Sequence, residues 1–249
     1  MNIYIYPKGI LISLLCLILV LLLLNVVGVI SSLYVHSEHI YDLVRFFDFD
    51  RERNIPAIYS SIALFFSGFL LFVIAMAHKN NCSPYFYWLG LAVVFLFLSA
   101  DEMLSIHERF SHMIRYSFNM SGFFYFSWVV PYGMALMVFL VFYFNFLMRL
   151  PRSTMVLFVF SGVVFVSGAI GFEMLAGRYV ELHGKGNLIY SFFYTCEEFL
   201  EMLGIVIFIY AVLMYMVGEF KSFSITLHES KVKSVERVMC TKQKNYVDR

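Results

Sequence analysis

The chain has 249 residues, of which 61% are hydrophobic and only 14% charged, with 29 Phe, 17 Tyr and a net charge of +1. A soluble domain carries about 25% charged residues, so the composition excludes an ordinary soluble protein, and the near-neutral charge implies no nucleic-acid partner. Apolar runs long enough to cross a hydrocarbon core of about 30 Å recur along the sequence, which predicts an all-α fold. The expected architecture is a polytopic transmembrane helical bundle of six spans, with no room for a second folded domain.

The first span is expected at 10–31, behind a short polar start that ends in Lys8. Its apolar stretch exceeds the about 7–15 residues of a signal h-region, and Val29-Ile30-Ser31 is a poor cleavage site, so a retained helix is the reading. The second and third spans fall at 57–77 and 85–105. The fourth, 122–148, is long and has Pro131 inside it, which predicts a tilt or kink. The fifth, 154–175, carries Ser167 and Gly171 four apart beside Gly168, a spacing that allows close helix approach and would draw Glu173 into the interior. The sixth is expected at 190–217. Residues 1–218 thus form the transmembrane domain and 219–249 a basic polar tail (Lys231, Lys233, Arg237, Lys242, Lys244), solvated or lying on anionic headgroups.

An even number of spans puts both termini on one face. The Lys/Arg excess on that face predicts cytoplasmic termini, in a multi-pass protein of the cell inner membrane. The cysteines, Cys16, Cys82, Cys196 and Cys240, show no C-x-x-C spacing, and no disulfide or thiolate metal site is expected.

The chemistry-bearing residues gather at the opposite, outer face. Asp101, Glu102 and Glu108 follow the third hydrophobic run, Glu173 follows the fifth, and Glu197, Glu198 and Glu201 open the sixth. Charge near hydrocarbon costs a few kcal/mol or more, so such residues are ordinarily paired, protonated or bound to a cation. If the third helix continues to His112, then Asp101, Ser105, Glu108 and His112 share one face, with Glu102 about 100° around and His107 on the other side. Among the outer histidines (His36, His39, His107, His112, His183), His112 is then the best candidate ligand. Glu197 and Glu201 share a face at i, i+4, and Glu201 is placed to meet Asp101 at one depth. Carboxylates meeting there share protons or a cation. Oxygen donors with one or two histidines suit Mg²⁺, Mn²⁺, Ca²⁺, Fe or Zn²⁺ without selecting among them. The candidate metal ligands are therefore Asp101, Glu102, Glu108, His112, Glu173, Glu197, Glu198 and Glu201, and the cofactor a divalent metal ion of open identity. Ordinary helix-end acids remain the alternative, because the macrodipole favours Glu197 and Glu198 at a helix N-terminus and Arg109, Arg115 and Arg178 lie on the same side.

Several templates fail. Neither the Glu-x-x-His pairs of di-iron bundles nor a His-Glu-x-x-His zinc motif occurs. Asp48-x-Asp50-x-Glu52-x-Asn54 alternates oxygens like a Ca²⁺ loop, but Arg53 stands at the turn-glycine position and Tyr59 at the distal glutamate.

Three stretches together resemble a group of uncharacterised bacterial multi-pass membrane proteins. They are Asp48 to Pro56 running into Tyr59-Ser60-Ser61, Leu98-Ser99-Ala100-Asp101-Glu102 running on to His107-Glu108, and Glu197 to Gly204. The resemblance implies no activity, and it adds Glu52 and Asn54 to Ser105 and His107 as polar residues of the outer face. The acidic pair Asp101-Glu102 is also similar to one in alkaline ceramidases, but their late-span His-x-x-x-His is missing here.

Three function classes fit. One is a metal-dependent membrane-embedded enzyme acting on a lipid or lipid-linked substrate near the outer leaflet. The second is a non-catalytic component of a membrane assembly. The third is an ion- or proton-coupled transporter, against which the cluster lies away from the midplane and has no counterpart at the end of the sixth span. The lipid bilayer is the expected partner in each.

Overall fold

The computed structural model describes residues 6–34, 44–81 and 83–220, apart from the side chain of His112. The expectations for His36, His39, Cys82, Cys240 and the basic tail beyond 220 lie outside the described residues.

Among the described residues, six helical stretches are long and apolar enough to cross a membrane. Helix α1, Pro7–Tyr34, begins on a proline, whose missing N–H costs nothing at a first helical position. Helix α2, Ile55–Asn80, is started by Asn54, whose side chain accepts the Ala57 N–H at 3.1 Å. Helix α3, Phe86–Leu104, does not continue to His112 as the sequence suggested. Ser105 takes a left-handed conformation (φ 52°, ψ 48°) and a separate helix α4, Ile106–Phe118, starts beyond it. The shared face of Asp101, Ser105, Glu108 and His112 is therefore broken at Ser105.

The long fourth run also divides. Gly122–Phe124 form a 3₁₀ turn, and helix α5 spans only Val129–Leu147. Pro131 consequently sits in a first turn, where it replaces no interior hydrogen bond, instead of kinking a helix from within. Beyond Pro151, one continuous stretch runs as α6, Arg152–Val166, a π-helical segment Ser167–Phe172, and α7, Glu173–His183. Gly184 (φ 75°) and Gly186 (φ 88°) turn the chain into α8, Leu188–Glu219, which Asn187 caps by accepting the Tyr190 N–H at 3.0 Å.

Helix α8 is the hub, packed against α1, α2, α6, the π segment and α7, and it is the most enclosed of the six, whereas α5 is the least. Inside a bilayer, tails are as apolar as leucine, so association rests on close packing and interhelical hydrogen bonds. Both devices are present. Ser61 Oγ donates to the Ser99 carbonyl and Ser99 Oγ to the Ser61 carbonyl, each at 2.8 Å, tying α2 to α3. Close approach of the fifth span to α8 comes from Gly168 and Gly204, not from the Ser167/Gly171 pair. A Cβ on Gly168 would lie 2.6 Å from the Glu197 carbonyl oxygen, and one on Gly204 2.8 Å from Phe165 N, while Gly171 has nothing within 4 Å.

A carboxylate cluster at one end of the bundle

Four parts of the chain deliver acids to the same end of the molecule. Glu52 comes from the loop before α2, Asp101 and Glu102 from the last turn of α3, Glu173 from the start of α7, and Glu197, Glu198 and Glu201 from the third and fourth turns of α8. Their contacts divide them into three groups.

The first group is built on Asp101. Its side chain is 7% exposed and both its oxygens are occupied. Oδ1 accepts the His107 backbone N–H at 2.8 Å, and Oδ2 accepts the Tyr132 hydroxyl at 3.0 Å. The break at Ser105 makes this fit, because it swings the first turn of α4 back over the end of α3. It also brings the His107 ring in, opposite to the sequence expectation. His107 Nδ1 lies 3.4 Å from Asp101 Oδ1 and Nε2 lies 3.6 Å from Glu52 Oε1, so the imidazole stands between two carboxylates at ion-pair range. Burial pulls the His107 pKa down, but the hydrogen bond and charge of Asp101, with the charges of Glu52 and Glu173, outweigh it and hold it above the ordinary value. Burial pushes the Glu52 carboxyl above its usual range, with Glu108 adding to the rise and His107 opposing it. Ser105 is buried, and its hydroxyl lies beside the Glu52 carboxyl.

The second group is Glu102, Glu198 and Glu201. The strongest electrostatic neighbour of Glu102 is Glu198, that of Glu198 is Glu201, and that of Glu201 is Glu102. Asp101 also acts on Glu201, but less than Glu102, Glu173 and Glu52 do. The third group pairs Glu173 with Glu197 at hydrogen-bonding range, and the Trp128 indole donates to Glu173 Oε1 at 2.8 Å. The π segment just before Glu173 resets the phase of the fifth span at this point, and such bulges recur at functional sites.

Glu108 is exposed and reaches the group only through its charge on Glu52. Asn54 is spent on structure: beyond its cap, its Nδ2 donates to the Asp48 carbonyl at 2.6 Å. His112 lies on α4, with its side chain outside the described atoms. The alternating residues of the 48–54 loop go to separate partners. Asp48 takes Arg51 and the Asp50 N–H, Asp50 takes the Tyr190 hydroxyl, and Glu52 faces His107.

Sequence reasoning missed Trp128, Tyr132 and Asn25. Trp128 and Tyr132 stand four apart at the head of α5, which puts two aromatic rings with polar tips on one face; that spacing was the available signal. Asn25, 1% exposed within α1, accepts the Phe49 N–H at 3.0 Å and donates to Thr195 Oγ1 at 2.9 Å, fixing the Glu52 loop and α8 together.

Among the described residues, no Lys or Arg forms an ion pair with any of the seven acids, and their charged contact is His107. Nor, among the described residues, do three His, Cys, Asp or Glu side chains converge as a ready-made metal site. The arrangement can share protons among its carboxyls, orient an imidazole, and present glutamate oxygens to a cation. Comparison with curated proteins and with solved structures gave no match. A family described as a domain of unknown function (DUF8692) matches residues 12–216, and the chain belongs to that family.

Proposed function

We propose that this multi-pass membrane protein holds a divalent cation between Glu102, Glu198 and Glu201 and works there as a membrane-embedded enzyme on a lipid or lipid-linked substrate. The observation that carries the reading is the imbalance of charge: seven acids from four parts of the chain share one end of the bundle, and among the described residues no Lys or Arg forms an ion pair with them, Lys185 acting on Glu173 only at longer range. Like charges at such range require proton sharing or a cation. Asp101 is left out of the donor set because His107 and Tyr132 already use both its oxygens. Glutamate has three rotatable side-chain bonds, so the cation reading calls for rotamer changes that turn these carboxyls towards one ion. A cation there polarises a water or a substrate oxygen, and His107, held between Asp101 and Glu52, is placed to exchange a proton nearby. The termini belong in the cytoplasm and the cluster at the outer leaflet by the Lys/Arg asymmetry.

The non-catalytic assembly reading is the second one. It is favoured by the lack of three converged donors among the described residues, which leaves the acids as ordinary buried groups. Metal analysis of purified protein separates the two. Stoichiometric divalent metal is expected in the wild type, most of it lost in both Glu198→Gln and Glu201→Gln, with little further loss in the double variant because coupled residues are not additive. Protein that carries no metal, and that gains stability on each of these changes, belongs to the second reading.

A further inference from the structure

Helix α4 is short, polar on one side, and placed between two spanning helices. It follows α3 after the single residue Ser105 and ends at Asn119 in a second left-handed turn (φ 49°), ten residues before α5 starts. Its level is therefore fixed at the membrane boundary by its neighbours. At about 100° per residue its side chains fall into three sectors. One is held by the protein: His107 faces Asp101 and Glu52, and buried Ser111 accepts the Ser127 N–H at 2.9 Å. The second is exposed and charged, with Glu108 and Arg109. The third is exposed and carries no charge: Phe110 is 43% and Met113 59% exposed, and Ser117, whose hydroxyl donates to the Met113 carbonyl at 3.0 Å, continues that side.

A helix alone in water has no reason for the third sector, and a spanning helix has none for the second. Met103 and Leu104, at the end of the spanning helix α3 and just before the break at Ser105, are likewise exposed, at 46% and 51%. We infer that α4 lies in the plane of the membrane interface and docks on lipid, with Phe110, Met113 and Ser117 turned to the acyl-chain boundary and Glu108 turned to water. Apolar area on one face and charge on another is the pattern of helices bound in that layer. Tyr116, 91% exposed and one i, i+7 step from Arg109 on the same side of the helix, suits the headgroup level where tyrosine concentrates. The consequence is that one helix carries both a lipid-contacting face and the imidazole of the carboxylate cluster.

The test places a spin label at each of Glu108→Cys, Phe110→Cys and Met113→Cys, in the full chain with its native cysteines replaced by serine, reconstituted in phosphatidylcholine–phosphatidylglycerol vesicles. Oxygen partitions into lipid and a nickel chelate stays in water. The ratio of oxygen to chelate accessibility is expected to be several-fold higher at 110 and 113 than at 108. Ser117→Cys is a near-isosteric change on the same face and gives the same reading if a label at Phe110 or Met113 prevents folding. Chelate preference at 110, 113 and 117 equal to that at 108 overturns the inference, because the face is then in water. Exclusion of both reagents overturns it too, because the face is then covered by protein.

Discussion

The Asp101 carboxylate at the end of α3 accepts the His107 backbone N–H and faces its ring, so one acid both positions the imidazole and favours its protonated form. Because the native pKa is raised above the ordinary value of 6.5, its charge stabilises the fold in full below about pH 6.5, and that contribution is lost as pH rises through the raised native value. The difference in melting temperature between wild type and His107→Gln, measured in detergent, should therefore be largest at mildly acidic pH and shrink towards alkaline pH. A difference that stays flat across that window means that the neighbouring carboxylates do not hold the ring charged. Sequence periodicity pointed to His112 in place of His107 because it assumed an unbroken α3. The break depends on one non-glycine residue, Ser105, adopting φ 52°, and a serine carries no local signal for that conformation. What the sequence offered was the position of Glu102, Glu173, Glu197, Glu198 and Glu201 near the ends of apolar runs, where a carboxylate is too costly to be left without a partner, a proton or a cation; the structure brings these five to one end of the bundle.

Between helices, the decisive feature is the approach of the fifth span to α8. The small-residue rule located the right segment, but the π turn at Ser167–Phe172 shifted the contact to Gly168, because each π turn takes up an extra residue and rotates the face that follows. That rotation carries Glu173 to Trp128 and Glu197. Gly168→Ala places a methyl 2.6 Å from the Glu197 carbonyl oxygen and within 3.2 Å of Glu201 Cγ, so backbone must move. The expected cost is about 1–3 kcal/mol, typical of overpacking a tight contact, and it should appear as a lower melting temperature. Gly171→Ala meets nothing within 4 Å and serves as the comparison that should stay near wild type. Equal effects of the two changes would mean that helix propensity, not the contact with α8, governs this segment.

For the molecule as a whole, hydropathy was the reliable guide. Each expected span overlaps a helix of the structure, from 10–31 within Pro7–Tyr34 to 190–217 within Leu188–Glu219, because about 20 apolar residues in sequence need no tertiary information to be recognised. Less legible were the ends, where α4, the 3₁₀ turn and the extension of the fifth span to His183 lie at the boundary and hydropathy is mixed. Six crossings put α1's start and α8's end on one side, and the acidic cluster, α4 and the Gly184–Gly186 turn on the other. Which side faces the cytoplasm depends on Lys and Arg in short loops, where Lys79, Arg149 and Arg152 flank spans on the terminal face. Reporter domains inserted after Met120 and after Gly186 should therefore read as external, and one fused after Arg149 as cytoplasmic. Met120 lies just past α4 and Gly186 just before the Asn187 cap, so neither insertion enters a described helix. If all three readings invert together, the span count stands and the orientation is reversed. If Met120 and Gly186 disagree with each other, an even number of crossings between them is wrong, and the cluster cannot occupy a single membrane face.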